Sequence, residues 1–283
     1  MRPHPELPTS TRAGLVALGV AALLVLGGCQ PQPGAKPRLA DSWYIQLSGT
    51  VDTTQPARVY DVDGFDTSAA TVATLHAEGK LVVCYLDVGS VESYRPDFAD
   101  FAPAALSAPN PEWPDERWLD ILRLDVAGPT GRTPRQLLAA RLDLCRSKGF
   151  DAVDPDMMEV YAATGVTFSP TERTITAADQ LTFNRWVAAA AHQRGMSVGL
   201  KADVDQAAQL VGDFDFSVNE QCHQYGECDL LAPFVAAGKP VLNIEYGAYS
   251  DAAFTQQVCP DAARRGFFSV HKELALNAWT QNC

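Results

Sequence analysis

Short apolar runs alternate with segments of helical spacing from residue 43 to about residue 275, and this alternation most constrains the fold. Segments with apolar residues at helical spacing lie between the runs, as in Ala69–Glu78, Pro134–Lys148, Ala177–Arg194 and Asp251–Arg264. Eight runs are predicted as strands: Trp43–Leu47, Val59–Val62, Leu81–Leu86, Ala152–Asp156, Ser197–Leu200, Phe214–Val218, Val241–Ile244 and Phe267–Val270.

Eight strands, most of them followed by a helix, predict an α/β protein with a single (β/α)8 TIM barrel. Several helical segments end at a glycine directly before the next strand, as at Gly149 and Gly266, which is typical of helix–strand junctions. A doubly wound open sheet is the alternative, but it usually carries a Gly-rich phosphate loop after its first strand, and this sequence has none.

The amino terminus has the pattern of an export signal. Two arginines precede the apolar run Ala13–Leu26, which is about 21 Å long as a helix and too short for a hydrocarbon core of about 30 Å. Its end, Leu26-Gly27-Gly28-Cys29, resembles a bacterial lipobox. We therefore expect a lipoprotein signal peptide at 1–28, a lipidated Cys29, a Pro-rich tether at 29–40 and a catalytic domain at 41–283. An ordinary signal peptide with a coincidental cysteine is the alternative.

The chain would then be exported to a bacterial cell envelope and touch the membrane only through the lipid. In such a compartment, the six cysteines after Cys29 are expected to form disulfides. The short Cys222–Cys228 loop is the first choice, followed by Cys259–Cys283 and Cys84–Cys145, although six cysteines allow 15 connectivities. A zinc site is disfavoured because the sequence has no C-x-x-C pair and its histidines are scattered.

Acidic groups outnumber basic ones 34 to 22, which gives a formal net charge of -12. A surface of this sign repels phosphate backbones and attracts cations, so nucleic acid is not an expected partner. Neither a cofactor nor a metal is expected, and the chain is predicted to be a monomer.

Polar side chains follow the ends of most predicted strands, where the loops of a barrel gather catalytic groups. A serine hydrolase would need a nucleophile elbow such as G-x-S-x-G, which is absent, and Schiff-base chemistry would depend on Lys201. Carboxylates with aromatic platforms are what glycoside cleavage requires. The candidates are Asp63, Asp87, Asp154, Asp156, Lys201, Glu220 and Glu245, with Tyr44, Tyr85, Tyr161 and Tyr246.

Five of these strand-end blocks resemble glycoside hydrolase family 114, which contains endo-α-1,4-polygalactosaminidases. The blocks are Trp43-Tyr44-Ile45-Gln46-Leu47, Cys84-Tyr85-Leu86-Asp87-Val88-Gly89-Ser90, Lys148 through Asp156, Gly199-Leu200-Lys201, and Asn219-Glu220-Gln221-Cys222 through Cys228. The resemblance implies a (β/α)8 barrel whose catalytic carboxylates are Asp156, as nucleophile or base, and Glu220, as general acid/base. Asp154 is the second candidate, and otherwise a substrate-binding group.

The activity implied is endo-cleavage of an α-1,4-linked, galactosamine-containing polysaccharide. Ammonium groups of such a cationic chain would pair with Asp63, Asp87, Asp154 and Glu245, and sugar faces would stack on Tyr44, Tyr85 and Tyr246. Lys201 is a further substrate-binding candidate. Two alternatives are a metal-dependent polysaccharide deacetylase or amidohydrolase, and a non-catalytic sugar-binding barrel.

Overall fold

The computed structural model describes residues 35–38, 41–163, 166, 168 and 174–283. The signal peptide predicted at 1–28 and the lipidation predicted at Cys29 lie outside the described residues. Of the predicted tether only 35–38 is described, where Lys36 pairs with Asp215 at 3.6 Å and Arg38 with Asp41 at 2.9 Å. None of the helices in the described part of the chain has the length and apolar character needed to span a membrane.

Strands and helices alternate as the sequence predicts. The strands are β1 (Trp43–Gln46), β2 (Val59–Asp63), β3 (Leu81–Asp87), β4 (Ser90–Glu92), β5 (Leu106–Pro109), β6 (Glu116–Leu119), β7 (Ala152–Asp156), β8 (Ser197–Lys201), β9 (Phe216–Glu220), β10 (Val241–Glu245), β11 (Phe268–His271) and β12 (Gln281–Asn282). The helices are α1 (Ala69–Ala77), α2 (Pro134–Lys148), α3 (Ala177–Gln193), α4 (Ala207–Leu210), α5 (Cys222–Tyr225), α6 (Ala232–Ala236), α7 (Asp251–Ala253) and α8 (Cys259–Arg265).

Eight parallel strands and one antiparallel strand form a single curled sheet, in the order β1-β2-β3-β7-β8-β9-β10-β11-β12. All eight predicted strands are present in this sheet. The sixth, β9, begins and ends two residues later than predicted, so that Asn219 and Glu220 belong to the strand itself.

The closed eight-stranded barrel that the sequence predicts is not formed. In the described residues β11 does not pair with β1; its free edge is taken instead by β12, with Val270 opposite Asn282. The segment between β11 and β12 bridges the gap, because the Leu276 carbonyl accepts hydrogen bonds from the Leu47 and Ser48 amides at 2.8 and 3.2 Å. The fold is therefore an α/β fold with a curled, open sheet.

Side chains alternate between the two faces of the strands, which separates two apolar clusters. The inner cluster contains Trp43, Ile45, Val83, Phe216 and Ile244. The outer cluster lies between the sheet and the helices. Inner-face positions near the carboxyl ends of β7, β8 and β9 therefore point into the space that the curled sheet encloses.

Three disulfides join these elements, and the predicted pairing is confirmed. Cys84 of β3 is bonded to Cys145 of α2, and Cys259 of α8 to Cys283 beside β12. The third disulfide, Cys222–Cys228, closes a loop directly after β9. The disulfide at Cys283 holds the carboxyl terminus next to the strand edge that β12 occupies.

Candidate active site

A buried ammonium group joins the carboxyl ends of three neighbouring strands. Lys201, at the end of β8, places Nζ 3.3 Å from Asp156 Oδ1 and 3.4 Å from Glu220 Oε1. Because both oxygens lie within 3.4 Å of one nitrogen, they are less than about 7 Å apart. This separation is compatible with the carboxyl spacings used by glycosidases, about 5–5.5 Å in retaining and about 6.5–9.5 Å in inverting enzymes.

Asp156 is held as a carboxylate by three donors. Tyr85 donates its hydroxyl at 2.6 Å, the Met157 amide donates at 2.8 Å, and Lys201 supplies a positive charge. Burial by itself would raise the pKa of Asp156, but the ammonium and the two hydrogen bonds outweigh it, and the pKa lies below its ordinary value. Asp156 is therefore ionised at neutral pH.

A tight backbone contact fixes the turn after Asp156. Met157 has a φ of 60°, and a Cβ atom at Gly89 would lie 1.6 Å from the Met157 carbonyl oxygen. The amides of Val88 and Gly89 both donate to the Asp156 carbonyl at 3.2 Å. Only glycine allows the loop after β3 to pack this closely, and the packing holds Asp156 in place.

Glu220 faces the cleft more openly than Asp156. Its side chain is 33% exposed against 19% for Asp156, and its carboxyl group contacts the Tyr246 hydroxyl. The next residue, Gln221, has a φ of 61° and donates its amide to the Ile244 carbonyl at 2.6 Å. This turn, followed by the Cys222–Cys228 disulfide, fixes the backbone at the end of β9.

Asp154 lies on the inner face beneath this pair and is fully buried. One of its oxygens is 3.5 Å from Lys201 Nζ. Burial raises the pKa of Asp154 to about 6; Lys201 opposes the shift, and the charges of Asp156 and Glu220 add to it. A buried carboxyl cannot reach a sugar, so the prediction that Asp154 binds substrate is wrong; it contacts Lys201 instead.

Two more predicted substrate-binding residues, Tyr44 and Glu245, lie on the outer face of the sheet. The Tyr44 ring is buried, and its hydroxyl donates to Gln46 Oε1 at 2.7 Å. Glu245 is buried beside α5 and accepts a hydrogen bond from the His223 amide at 3.0 Å. The predictions that Tyr44 and Glu245 bind substrate are therefore wrong. Side chains alternate between the two faces of each strand, and the inner face is taken by neighbouring residues, such as Ile45 in β1 and Ile244 in β10.

Asp63 lines the smaller cavity of the cleft and Asp87 is buried outside both cavities, and other groups of the protein already bind both carboxylates. Asp63 pairs with Arg95 at 2.5 Å and accepts the amides of Phe65 and Asp66. Asp87 is buried and accepts the Ser90 hydroxyl at 2.7 Å. Neither carboxylate is free to hold an ammonium group of a substrate, contrary to the prediction.

Several groups at the cleft were not predicted. The connection after β3 forms a small antiparallel sheet in the order β4-β6-β5, whose register sets Glu92 opposite Glu116. Burial, followed by the charges of Asp156 and Glu92, raises the pKa of Glu116 to about 7. The sequence shows no motif at these positions, because only the pairing of β4 with β6 brings the two glutamates together.

The cleft consists of two adjoining cavities that meet at Glu220, Met157 and Tyr246. The smaller, of about 720 Å³, contains Asp156 and Lys201, and the acidic side chains in its lining far outnumber its basic ones, Arg95 and Lys201. The larger, of about 1720 Å³, exceeds the 300–1,000 Å³ usual for small-molecule sites. Exposed apolar side chains line the two cavities: Tyr94, Trp113, Tyr225, Leu274 and Trp279.

Metal coordination finds little support in the donor groups of the described residues. The one group with suitable spacing there is Cys222, His223 and Cys228. Both of its sulfur atoms are joined in a disulfide and are not available as thiolate ligands. Lys201 is held between carboxylates that raise its pKa well above the ordinary value, although burial acts in the opposite direction. A charged lysine is not a nucleophile, which disfavours the Schiff-base alternative.

A curled parallel sheet with a carboxylate pair at the carboxyl ends of its strands has the fold and site of a glycoside hydrolase. The sequence profile of the glycoside-hydrolase family GH114 matches residues 29–283, and the chain belongs to that family. This confirms the resemblance seen in the sequence.

The chain is also similar to solved and curated proteins. Ega3 of Aspergillus fumigatus, solved in complex with galactosamine, is 35% identical; the match covers 90% of this chain and 100% of that chain, with a TM-score of 0.78. The glycoside hydrolase domain of PelA from Pseudomonas aeruginosa shares the fold at 14% identity, with a TM-score of 0.59 over 85% of this chain and 96% of that chain. An uncharacterized protein of Deinococcus radiodurans is 29% identical over 249 residues, or 76% of this chain and 75% of that protein.

Proposed function

We propose that this glycoside hydrolase cleaves α-1,4-linked, galactosamine-containing polysaccharide at internal positions, with Asp156 and Glu220 as its catalytic residues. The observation that carries the proposal is the contact of both carboxylates with the Lys201 ammonium group, at 3.3 and 3.4 Å, at the meeting point of two cavities. The galactosamine held by the related Ega3 structure supports the choice of sugar.

The different surroundings of the two carboxylates suggest their roles. Asp156 is kept ionised by Tyr85 and Lys201, as a nucleophile or a general base requires. Glu220 is the more exposed group and contacts the Tyr246 hydroxyl, a position suited to donating a proton to the leaving glycosidic oxygen. Asp156 then either attacks the anomeric carbon or accepts a proton from the attacking water.

The extent of the cleft favours internal cleavage over removal of terminal sugars. The cavities continue on both sides of Glu220, so a chain can occupy sites on either side of the bond to be cleaved. Trp113 lines both cavities and is 43% exposed, and Trp279 is 38% exposed in the larger one. Exposed rings of this kind present apolar faces on which sugars can pack.

Product analysis tests the proposal directly. Incubation with a defined galactosamine-rich polymer should release oligosaccharides of several lengths, seen by mass spectrometry, and the Glu220→Gln protein should release none. A metal-dependent deacetylase would instead release acetate, leave the chain length unchanged and lose its activity in EDTA. A non-catalytic sugar-binding protein would bind the polymer without changing its mass.

The acidic wall of the smaller cavity favours a cationic chain. Asp66, Asp115, Glu116, Asp205 and Glu227 line it, and Arg95 and Lys201 are each already paired with carboxylates. Dissolved salt screens the attraction between exposed charges, and the Debye length, beyond which the attraction is largely lost, is about 8–10 Å at an ionic strength of about 0.1–0.15 M. Hydrolysis of a deacetylated chain should therefore weaken as salt rises from about 0.05 to 0.5 M, while hydrolysis of a fully acetylated chain stays constant. Equal sensitivity of both chains would contradict the charge argument.

Glu116 should make binding of a cationic chain depend on pH. Its carboxyl has a pKa of about 7 and is therefore neutral below that pH and charged above it. KM for a deacetylated chain in the wild type, divided by KM in Glu116→Gln, should fall as pH rises from about 6 to 8. The ratio cancels the titration of the substrate amines, and a fully acetylated chain is the control. A flat ratio would show that Glu116 does not contribute to binding.

Display on the bacterial envelope is part of the proposal. It rests on the lipobox-like sequence before Cys29 and on the disulfides expected of an exported protein. We propose a monomer that contacts the membrane only through a lipid on Cys29. No nucleic acid, cofactor or metal is part of the proposed activity.

A further inference from the structure

Besides Asp154, the carboxyl group of Asp61 is buried beneath the active site, and it takes no part in the mechanism described above. Asp61 is on the inner face of β2, where it pairs in register with Val83 of β3, and it is fully buried. No described N–H or O–H group donates to either of its oxygens, and among the described donor groups Asp154 has only the Lys201 ammonium group beside it, at 3.5 Å. The carboxyl groups of Asp61 and Asp154 lie within hydrogen-bonding reach of each other.

Two ionised carboxylates in direct contact away from water would repel each other strongly. A single proton removes the conflict, because one carboxylic acid can then donate an O–H···O⁻ hydrogen bond to the other carboxylate. The same proton would give both groups the hydrogen bond that they otherwise lack.

The position of Lys201 decides which carboxyl carries the proton. Lys201 Nζ is 3.5 Å from Asp154, so the negative charge is stabilised there, and the proton is left on Asp61. Burial raises the pKa of Asp61 well above its ordinary value, and the charge of Asp154 adds to the shift. Lys201 acts in the opposite direction, and the more distant charge of Asp156 raises the pKa further.

We propose that Asp61 is a positioning residue, a protonated carboxylic acid that donates a hydrogen bond to Asp154. Ionised Asp154 in turn holds the Lys201 ammonium group from below, while Asp156 and Glu220 bind it at the mouth of the cleft. The enzyme would thereby keep one fixed negative charge under the reacting carboxylates. The catalytic consequence rests on the proposed function, whereas the protonation of Asp61 does not.

Two substitutions separate this role from simple packing. Asp61→Asn keeps an N–H donor of nearly the same shape, so kcat and the pH dependence of kcat/KM should stay close to those of the wild type. Asp61→Leu removes the donor, and Asp154 should then take up the proton itself. With one negative charge fewer beside it, Asp156 should titrate at lower pH, and the acidic limb of the kcat/KM profile should move down by about one pH unit.

Infrared difference spectroscopy tests the proton without any substrate. The spectrum of the wild type minus that of Asp61→Asn at neutral pH should contain the C=O stretch of a protonated carboxylic acid. In Asp61→Leu the acid band should persist at a shifted frequency, and it should vanish in Asp61→Leu with Asp154→Asn. Circular dichroism of each variant checks that it is folded.

Each result supports or overturns the proposal. Absence of the acid band from the difference spectrum would show that Asp61 is ionised. An Asp61→Asn protein as impaired as Asp61→Leu, with the acidic limb of the kcat/KM profile unmoved in both, would show that Asp61 only fills space. If the protein cleaves no polysaccharide, the proposed function fails, and the infrared result still decides whether Asp61 is protonated.

Discussion

Glu220→Gln and Asp156→Asn should each lower kcat on a defined galactosamine oligosaccharide by about 10³-fold or more. General acid–base catalysis alone contributes about 10²–10⁴-fold, and an amide can neither donate the proton proposed to come from Glu220 nor serve as the nucleophile or base proposed for Asp156. KM should change much less than kcat in Glu220→Gln, because glutamine has nearly the size of glutamate and can keep the contact with Tyr246. Initial rates measured by product mass spectrometry give both constants.

Asp125→Asn is the matched control for these variants. Asp125 is an aspartate with a 73% exposed side chain at the surface, and it lines neither cavity of the cleft. Its amide variant should therefore retain kcat within about threefold of the wild type. Turnover near the wild-type rate in a folded Glu220→Gln or Asp156→Asn protein would refute the catalytic assignment.

Lys201→Met should both destabilise and inactivate the protein. Lys201 is 3% exposed and pairs with three carboxylates, which would be left facing one another without a cation. Removing one partner of a buried ion pair costs about 3–5 kcal/mol of unfolding free energy. Denaturant unfolding followed by circular dichroism measures this loss.

The remaining activity of Lys201→Met should show a changed pH profile. Without the ammonium group, burial dominates and the pKa of Asp156 rises, so Asp156 stays protonated to higher pH. The acidic limb of kcat/KM should then move upward. Asp154→Asn in the same protein should recover part of the lost stability, because it removes one of the unpaired charges. Wild-type stability in Lys201→Met would show that the three ion pairs contribute nothing.

These expectations depend on how the sheet places a few polar residues, and part of that placement is visible in the sequence. Apolar runs at strand length, with glycines at the ends of helices, predict all eight parallel strands because local periodicity decides them. The strand-end blocks also identify Asp156, Lys201 and Glu220. In the structure, the carboxylates of Asp156 and Glu220 each have an oxygen within 3.4 Å of Lys201 Nζ. Cysteine spacing gave a first choice among 15 possible disulfide connectivities, and the structure has that pairing.

Strand-end position alone did not distinguish the two faces of the sheet. Glu245 ends β10 as Asp156 ends β7, yet it points outward, because it lies one residue out of step with the inner face of its strand. Tyr44, the second residue of β1, lies on the outer face for the same reason. Whether an inner carboxylate is available to a substrate also depends on residues far away in the sequence. Asp63, for example, is paired with Arg95, which lies 32 residues further along the chain. Such pairings leave no local pattern in the sequence.

Local sequence thus determined the strands and their order along the chain, because these depend on short-range periodicity, whereas cysteine spacing ranked the possible disulfide pairs without fixing them. Only the tertiary structure decided that β12 takes the edge of β11 in place of β1, that β4 pairs with β6 so that Glu92 lies opposite Glu116, and that Asp61 interacts with Asp154. These features arise where segments far apart in the chain come into contact, and their energies depend on burial and charge at that contact.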